Sequence, residues 1–445
     1  MASKTLTLQA HWNGLWRDAG DVTFADPDRG VEGPMQFYYN PIYINDADDY
    51  RPGLGFRDER AIGVHVPGEF SGHFNEQPVA PILRDIIPQG AGRDNLLRLW
   101  GVDRDPGPAM DLTLLESACI APIGNLRIKQ AADQFQEQVA RHPSHGFTKA
   151  DVTERSDELI DYAHSLGIAI GGATGAAGDA PKLLMAEGSD GRLYLEGTLA
   201  DDDVVGHWLI KFPRGRRKER DRDVLRCEGM IYQALEALGI DAVSGAELHE
   251  GDMVSLWLPR FDRLVSQGQV ERLGVESVYS LNQMLGNGAT MQHTAALDQI
   301  EAAVGGDRDT LLAEYLTRDA INTAIGNSDN HGRNTAVVKQ AGTIRLAPAY
   351  DLAPMVLDPE GIARTTLWPE HFRNTSGHVD YRAVIRDRAC DPAVVLAAFQ
   401  RNLARLATLD ERMHALGVPQ SVTNHPRVNF DRLAELADDL LSYEP

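Results

Sequence analysis

The chain has 445 residues, with 43 Lys and Arg against 65 Asp and Glu, a formal net charge of −22. With 43% hydrophobic and 24% charged residues it has the composition of an ordinary globular protein, which excludes collagen-like, low-complexity and disulfide-scaffold classes. The length predicts two or three domains.

No apolar run reaches the roughly 18 residues that a membrane span needs. The first twenty residues lack the apolar core after a basic start that marks a secretory signal. Cys119, Cys227 and Cys390 are scattered, without CxxC spacing, which reads as a reduced, cytoplasmic pattern with no structural zinc site.

Residues 1–125 read as mostly strand and loop, with short segments at 6–12, 20–24 and 35–44 separated by Gly, Pro and Asp clusters. The aromatic group Phe37, Tyr38, Tyr39 and Tyr43 reads as a packed sheet face. A helical stretch is predicted over 81–100 and a strand over 124–128. Residues 129–167 read as helix in two pieces, broken at 142–146. The second piece aligns Val152, Leu159, Ile160, Ala163 and Leu166 on one face and stops at Gly167.

Glycine-rich turns, strands and one helix follow. The pattern predicts a hairpin of 182–186 and 192–197, a strand over 208–212, a helix over 228–238 closed by Gly239, and a strand over 254–258. From about Leu264 the chain reads as mainly helical, except for a hairpin near 335–350. A β-rich piece before a helical piece is an α+β arrangement with a cleft between two lobes. The expected division is a β-rich amino-terminal part at 1–128, a connector with glycine loop and lysine strand at 129–263, and a helical part at 264–445.

The strongest chemical signal is SDNHGRN at 328–334. A helix with an apolar stripe precedes it, a strand follows, and the returning hairpin presents Asp351 at its end. Two carboxylates and one amide, Asp329, Asn334 and Asp351, are thereby expected to converge. Oxygen donors of this kind suit magnesium, which takes one or two carboxylates and shares its other positions with water and phosphates. The step of five residues from Asp329 to Asn334 matches the protein-kinase catalytic loop, in which the Asp is the base and the Asn a metal ligand. Taken alone, the heptapeptide is equally a polar loop capping a hairpin.

The second signal is IGGATGAAGDAPK at 170–182, whose small residues let a backbone approach phosphates closely. It lacks the Gly-Lys-Ser/Thr of a Walker A loop, and alone it reads as a linker. Lys211 in WLIKF is the third: a lysine inside a buried strand needs an anionic partner or a phosphate, and Glu228 is a candidate partner. Glycine loop, strand lysine, helix glutamate, then Asp…Asn…Asp is the order of parts in a kinase.

With these motifs the chain resembles the HipA-like serine/threonine kinase toxins of bacterial toxin–antitoxin systems, over nearly its whole length. SDNHGRN and AYDLAP at 349–354 anchor the carboxy-terminal part. LPRFDR at 258–263 looks like the family's interlobe hinge, and residues 86–100 with APIGNLRI at 121–128 resemble the amino-terminal subdomain.

The resemblance implies a two-lobed kinase-like fold and an ATP- and Mg²⁺-dependent kinase acting on Ser or Thr of a cytoplasmic protein, a growth-arresting toxin with a DNA-binding antitoxin. In this reading Asp329 is the base, and Asn334 and Asp351 hold magnesium. Lys211 neutralises phosphates, and Pro259, Arg260 and Phe261 meet adenine through the backbone. Ala177, Gly178, Asp179, Ala180, Pro181 and Lys182 of the glycine loop, Glu228, His331, Gly332, Arg333 and Tyr350 complete the nucleotide site.

Two departures stand out. Pro259 replaces a glutamate common in the hinge and offers no N–H. Gly175 falls where the family has an autophosphorylated serine, which leaves Thr174 as the hydroxyl of that loop.

The basic run 213–222, with Arg214, Arg216, Arg217, Lys218, Arg220 and Arg222, reads as a solvated loop, the other reading being a dock for an acidic or nucleic-acid-associated substrate. No direct nucleic-acid or membrane binding is expected of so acidic a chain. Two rival functions are a metal-dependent nuclease using Asp329, His331 and Asp351, and a non-catalytic nucleotide-binding interaction module.

Overall fold

The computed structural model describes residues 2–45, 55–70, 72–168, 181–214, 218–286, 288–359, 361–375 and 377–441. They form two compact units that are not consecutive stretches. One comprises Met1–Arg214, His249–Leu285 and Ala336–Arg345, the other Gly215–Leu248, Gly286–Thr335 and Leu346–Pro445. Among the described residues no helix is long and apolar enough to cross a membrane.

The first unit carries two antiparallel sheets. One has the order β4-β3-β2-β1-β5, built from β1 (Lys4–Trp12), β2 (Leu15–Phe24), β3 (Met35–Tyr39), β4 (His73–Asn75) and β5 (Leu126–Ile128). Asn13 and Gly14, at φ 51° and 73°, turn β1 into β2, the Asn-Gly pair whose left-handed backbone matches the twist of a two-residue hairpin. β3 alternates Met35, Phe37 and Tyr39 inward with Gln36 and Tyr38 outward, the period of two that a half-buried strand requires.

The predicted aromatic face is therefore corrected at one residue: Tyr38 is 47% exposed and stacks on His73 at 4.3 Å. The strand expected to reach residue 44 ends at Tyr39, because Asn40 caps the short helix Pro41–Ile44 by accepting from Ile42 N. The mostly strand-and-loop reading of 1–125 also omits the helix Asp111–Ala118.

The second sheet runs β7-β6-β8-β10-β9, from β6 (Lys182–Gly188), β7 (Leu193–Leu195), β8 (Val204–Lys211), β9 (Glu247–Glu250) and β10 (Val254–Pro259). One continuous apolar core joins both sheets, from Leu6 and Phe37 through Phe147 to Ile210, Phe212 and Trp257. The reading of everything beyond Leu264 as mainly helical misses a hairpin of Arg263–Ser266 with Gln269–Arg272 and the strand Gly274–Ser277. These four-residue strands are too short for a period of two to register against the helical background.

The second unit is helical. Its long elements are Glu219–Ala237, His293–Val304, Arg308–Ala324, Pro392–Leu406 and Arg432–Leu441. The helix expected at 228–238 starts nine residues earlier, at Glu219, and is closed as expected by Gly239, which at φ 66° donates to Glu236 O while Ile240 N donates to Leu235 O. The fold is α+β, with a β-rich amino-terminal part and a helical carboxy-terminal part.

Candidate active site

The helix Arg308–Ala324 is stopped by backbone chemistry that places the residues after it. Gly326, at φ 67°, donates to Thr323 O, and Asn327 N donates to Asn322 O at 2.9 Å, the paired bonds of a Schellman motif. A Cβ on Gly326 would lie 2.7 Å from Val356 Cγ2 and 3.0 Å from Arg427 O, so space as well as φ calls for glycine here.

The stop delivers the buried Asn327 side chain into the middle of the loop. Its Nδ2 donates to Asn322 Oδ1 (2.7 Å) and to the Asp351 carbonyl (2.9 Å), while its Oδ1 accepts from Asp329 N (3.1 Å). One amide thus ties the backbones of Asp329 and Asp351 together. A second tie runs from Tyr350 Oη to Arg333 O at 2.6 Å.

Within the loop, Asn334 N donates to His331 O, and Asn334 Nδ2 donates to Asp329 O at 2.8 Å. With its nitrogen so engaged, the Asn334 amide oxygen is the atom left for a cation. His331 Nδ1 accepts from Arg333 N at 3.2 Å, so a neutral ring carries its proton on Nε2, which lies 3.8 Å from Asp329 Oδ1. Asp329 itself keeps 27% side-chain exposure, enough to meet an incoming group. Asp351 has the left-handed φ of 57°, which Asp tolerates better than most residues and which is held here from both sides: Asn327 bonds its carbonyl, and Leu352 N donates to Tyr232 Oη (3.4 Å).

Tyr232 also donates to Glu228 Oε1 at 3.2 Å. Glu228 and Tyr232, four residues apart on one helix face, therefore connect to the backbone beside Asp351. Both are fully buried.

In the first unit Lys211 is the last residue of β8 and, as expected of it, buried; it pairs directly with the equally buried Lys182 of β6. The hinge motif supplies a buried charge network. Arg260 donates to Asp262 through Nε (3.0 Å) and Nη2 (2.7 Å) and to Pro122 O, while Arg263 donates to Asp262 Oδ2 (2.6 Å) and Gly124 O (2.8 Å). Asp262 also accepts from Gly124 N, so LPRFDR and APIGNLRI are partners.

His207 Nδ1 and Glu196 Oε2, 2.9 Å apart, extend the network. Burial alone would raise the Glu196 and Asp262 pKa values. The charges of His207 and Arg260 around Glu196, and of Arg260 and Arg263 around Asp262, outweigh it and hold both carboxyls well below the ordinary range.

Of the predicted site residues, the structure brings together Asp329, His331, Gly332, Arg333, Asn334, Tyr350, Asp351 and Glu228 in the second unit. It places Pro181, Lys182, Lys211, Pro259, Arg260 and Phe261 in the first. Ala177, Gly178, Asp179, Ala180 and Thr174 lie outside the described residues. Among the described residues no three His, Cys, Asp or Glu side chains gather as a metal-holding cluster, and Asp329, His331 and Asp351 are not one.

Sequence reasoning missed Asn327 and Tyr232. A buried amide directly before SDN and a tyrosine four residues after Glu228 were visible, but both act through backbone partners that no spacing rule marks. The Arg260 side chain was also missed, since only its backbone was read as functional.

The family model described as the HipA-like C-terminal domain matches residues 173–411, more than half of the chain, and the chain belongs to that family. A protein of Sinorhizobium fredii (strain NBRC 101917 / NGR234) named "Putative kinase Y4dM" is 23% identical over 354 residues, 74% of each chain. The solved structure of the HipA toxin–antitoxin system of Shewanella oneidensis MR-1, HipA with HipB and its operator DNA, superposes with a TM-score of 0.62 at 15% identity. That match covers 99% of this chain and all of that one, and it establishes the shared fold.

Proposed function

We propose that the chain is an ATP- and Mg²⁺-dependent protein kinase that transfers the γ-phosphoryl group to a Ser or Thr hydroxyl of a cytoplasmic protein, and that it is the toxin of a toxin–antitoxin pair. The observation that carries the reading is the Asn327 clamp, which holds Asp329 and Asp351 by the backbone on one loop scaffold while Asn334 is turned by its bond to Asp329 O. Family membership and the kinase name of the Sinorhizobium relative support it. So does the Shewanella structure, in which HipA is bound to HipB.

The donor set fits the implied groups. Asp351 and Asn334 offer the carboxylate and amide oxygens that a hard cation takes, with few enough protein ligands to leave room for phosphate and water. Lys182 and Lys211 occupy directly opposed positions on neighbouring strands, which puts two ammonium groups within reach of one anionic phosphate. When bound, Mg-ATP supplies the phosphoryl group and neutralises its charge.

The chain's own residues would do the rest. Asp329, partly exposed and steadied by Asn327, orients the acceptor hydroxyl and takes its proton. Glu228 and Tyr232 position the turn at Asp351–Leu352.

In the hinge, Pro259 has no N–H and Arg260 N is already donated to His207 O (2.9 Å), so neither of these two backbone nitrogens is offered to an adenine edge. Self-phosphorylation of the glycine loop would fall on Thr174.

The test is incubation of the protein with γ-labelled ATP, Mg²⁺ and a cell lysate, followed by phosphosite mapping and intact-mass measurement of the protein itself. Label on Ser or Thr of a lysate protein, absent with Asp329→Asn, is the expected result. No label above the Asp329→Asn control overturns the kinase reading, and stoichiometric self-phosphate away from Thr174 overturns the loop assignment.

A further inference from the structure

We infer that a cleft of the second unit, behind the loop that carries Asp329, is a phosphate-binding site for a phosphorylated serine or threonine side chain. The cleft has a volume of about 360 Å³, and its wall includes Ser328, Arg364, His378, Arg427 and Arg432. Three arginines and a histidine thus line one space, and no lining residue is a carboxylate, in a chain whose net charge is −22.

Arg364 forms the anchored side. Its Nε donates to Asn327 O (3.2 Å) and its Nη1 to Thr323 Oγ1 (3.2 Å), with Asp319 Oδ1 behind at 3.8 Å. The Arg427 and Arg432 guanidiniums have no hydrogen bond or ion pair among the described residues. Ser328 is 1% exposed, and its Oγ is buried without a partner, a cost that native structures seldom leave unmet.

The chemistry that satisfies this set is a compact anion with several acceptor oxygens. A phosphate monoester takes guanidinium forks and a hydroxyl donor at once. The volume exceeds that of one phosphate, which leaves room for the residue that bears it.

The depressed pKa of His378, caused by desolvation and by Arg432, agrees with a site whose positive potential is not locally offset. A bound phosphate would reverse part of that shift. Because Ser328 directly precedes Asp329, occupancy would also stiffen the loop on which the proposed base sits.

The inference does not depend on the kinase reading, since it is measured without nucleotide or Mg²⁺. Calorimetric titration of the full chain in low salt, with inorganic phosphate and with a phosphoserine peptide and its unphosphorylated twin, reads it directly. Both phosphate-bearing probes should bind, the phosphopeptide more tightly, and the unphosphorylated twin should not. Arg427→Gln and Arg432→Gln, which alter partly or fully exposed side chains and should leave the fold intact, should each weaken binding about tenfold or more. Ser328→Ala should weaken it less.

Binding of inorganic phosphate alone, with no gain for the phosphopeptide, overturns the assignment of the ligand. Unchanged affinity in both arginine variants, or loss of binding in Lys211→Ala instead, overturns the site. Preference for a duplex oligonucleotide over the phosphopeptide overturns the ligand class.

Discussion

At the scale of single residues, the two proposed acids of the loop should separate by their readouts. Asp329→Asn keeps the shape and loses the carboxylate that accepts a proton. Transfer should fall by about 10²–10⁴-fold while Mg-ATP affinity, measured by calorimetry, holds. Asp351→Asn removes the charge of the proposed magnesium ligand, so nucleotide affinity in Mg²⁺ should fall together with turnover. The opposite pattern would exchange the two roles.

Asn327 makes a different kind of prediction, because it touches only protein. Asn327→Ala strips one partner from each of three bonds, two of them to the backbones of Asp329 and Asp351. It should cost about 1–3 kcal/mol in urea unfolding and lower turnover without abolishing nucleotide binding. Wild-type turnover in that variant would show that the clamp does not matter to the chemistry.

The structure ties the backbones of Asp329 and Asp351 together, and the side chains proposed to react, Asp329, Asn334 and Asp351, were read from residue type and spacing. The clamps were not, because a side chain that bonds to a backbone leaves no mark in residue spacing.

At the scale of elements, the side chains of the LPRFDR motif hold the fold together. Arg260, Asp262 and Arg263 are buried and close onto residues 122–124, with Glu196 and His207 at the far side. Removing one member of such a set leaves a buried charge uncompensated, so Asp262→Asn should cost about 3–5 kcal/mol.

Acid should act on the same network. Glu196 and Asp262 titrate in the folded chain below their unfolded values, so their stabilisation is complete above roughly pH 4–5 and is lost as the pH falls through the depressed folded values. Urea midpoints should therefore drop steeply from about pH 4 downward in the wild type, and less steeply in Glu196→Gln, which has lost one of the two carboxyls. Parallel profiles would mean that the network does not titrate as a unit.

The same elements show how pattern reading succeeds and fails. The hairpin of β6 and β7, the lysine strand and the glycine-closed helix announced themselves by short apolar runs, a Gly-rich turn and a helix stop. The four-residue strands of the hairpin that starts at Arg263 and the eight-residue helix Asp111–Ala118 are too short for a sequence window to register their periods.

For the whole molecule, charge decides what the chain can hold by itself. The basic run at 213–222 was the one stretch with the look of a polyanion dock. The part of it at the start of the helix Glu219–Ala237 is set among acids: Arg222 lies near Glu219 and Arg220 lies 3.8 Å from Asp221. Those pairings use up charge that phosphates would otherwise attract, in a chain of net −22.

Non-specific affinity for DNA scales with the phosphates a protein can neutralise, which a chain of net −22 does poorly. Electrophoretic titration of the isolated chain with duplex DNA should show no shift at about 0.15 M salt and only a weak one when salt is lowered. Arg220→Gln with Arg222→Gln should leave both results unchanged. Tight binding by the isolated chain, with a steep salt dependence that the double variant reduces, would return this run to the role of a nucleic-acid surface.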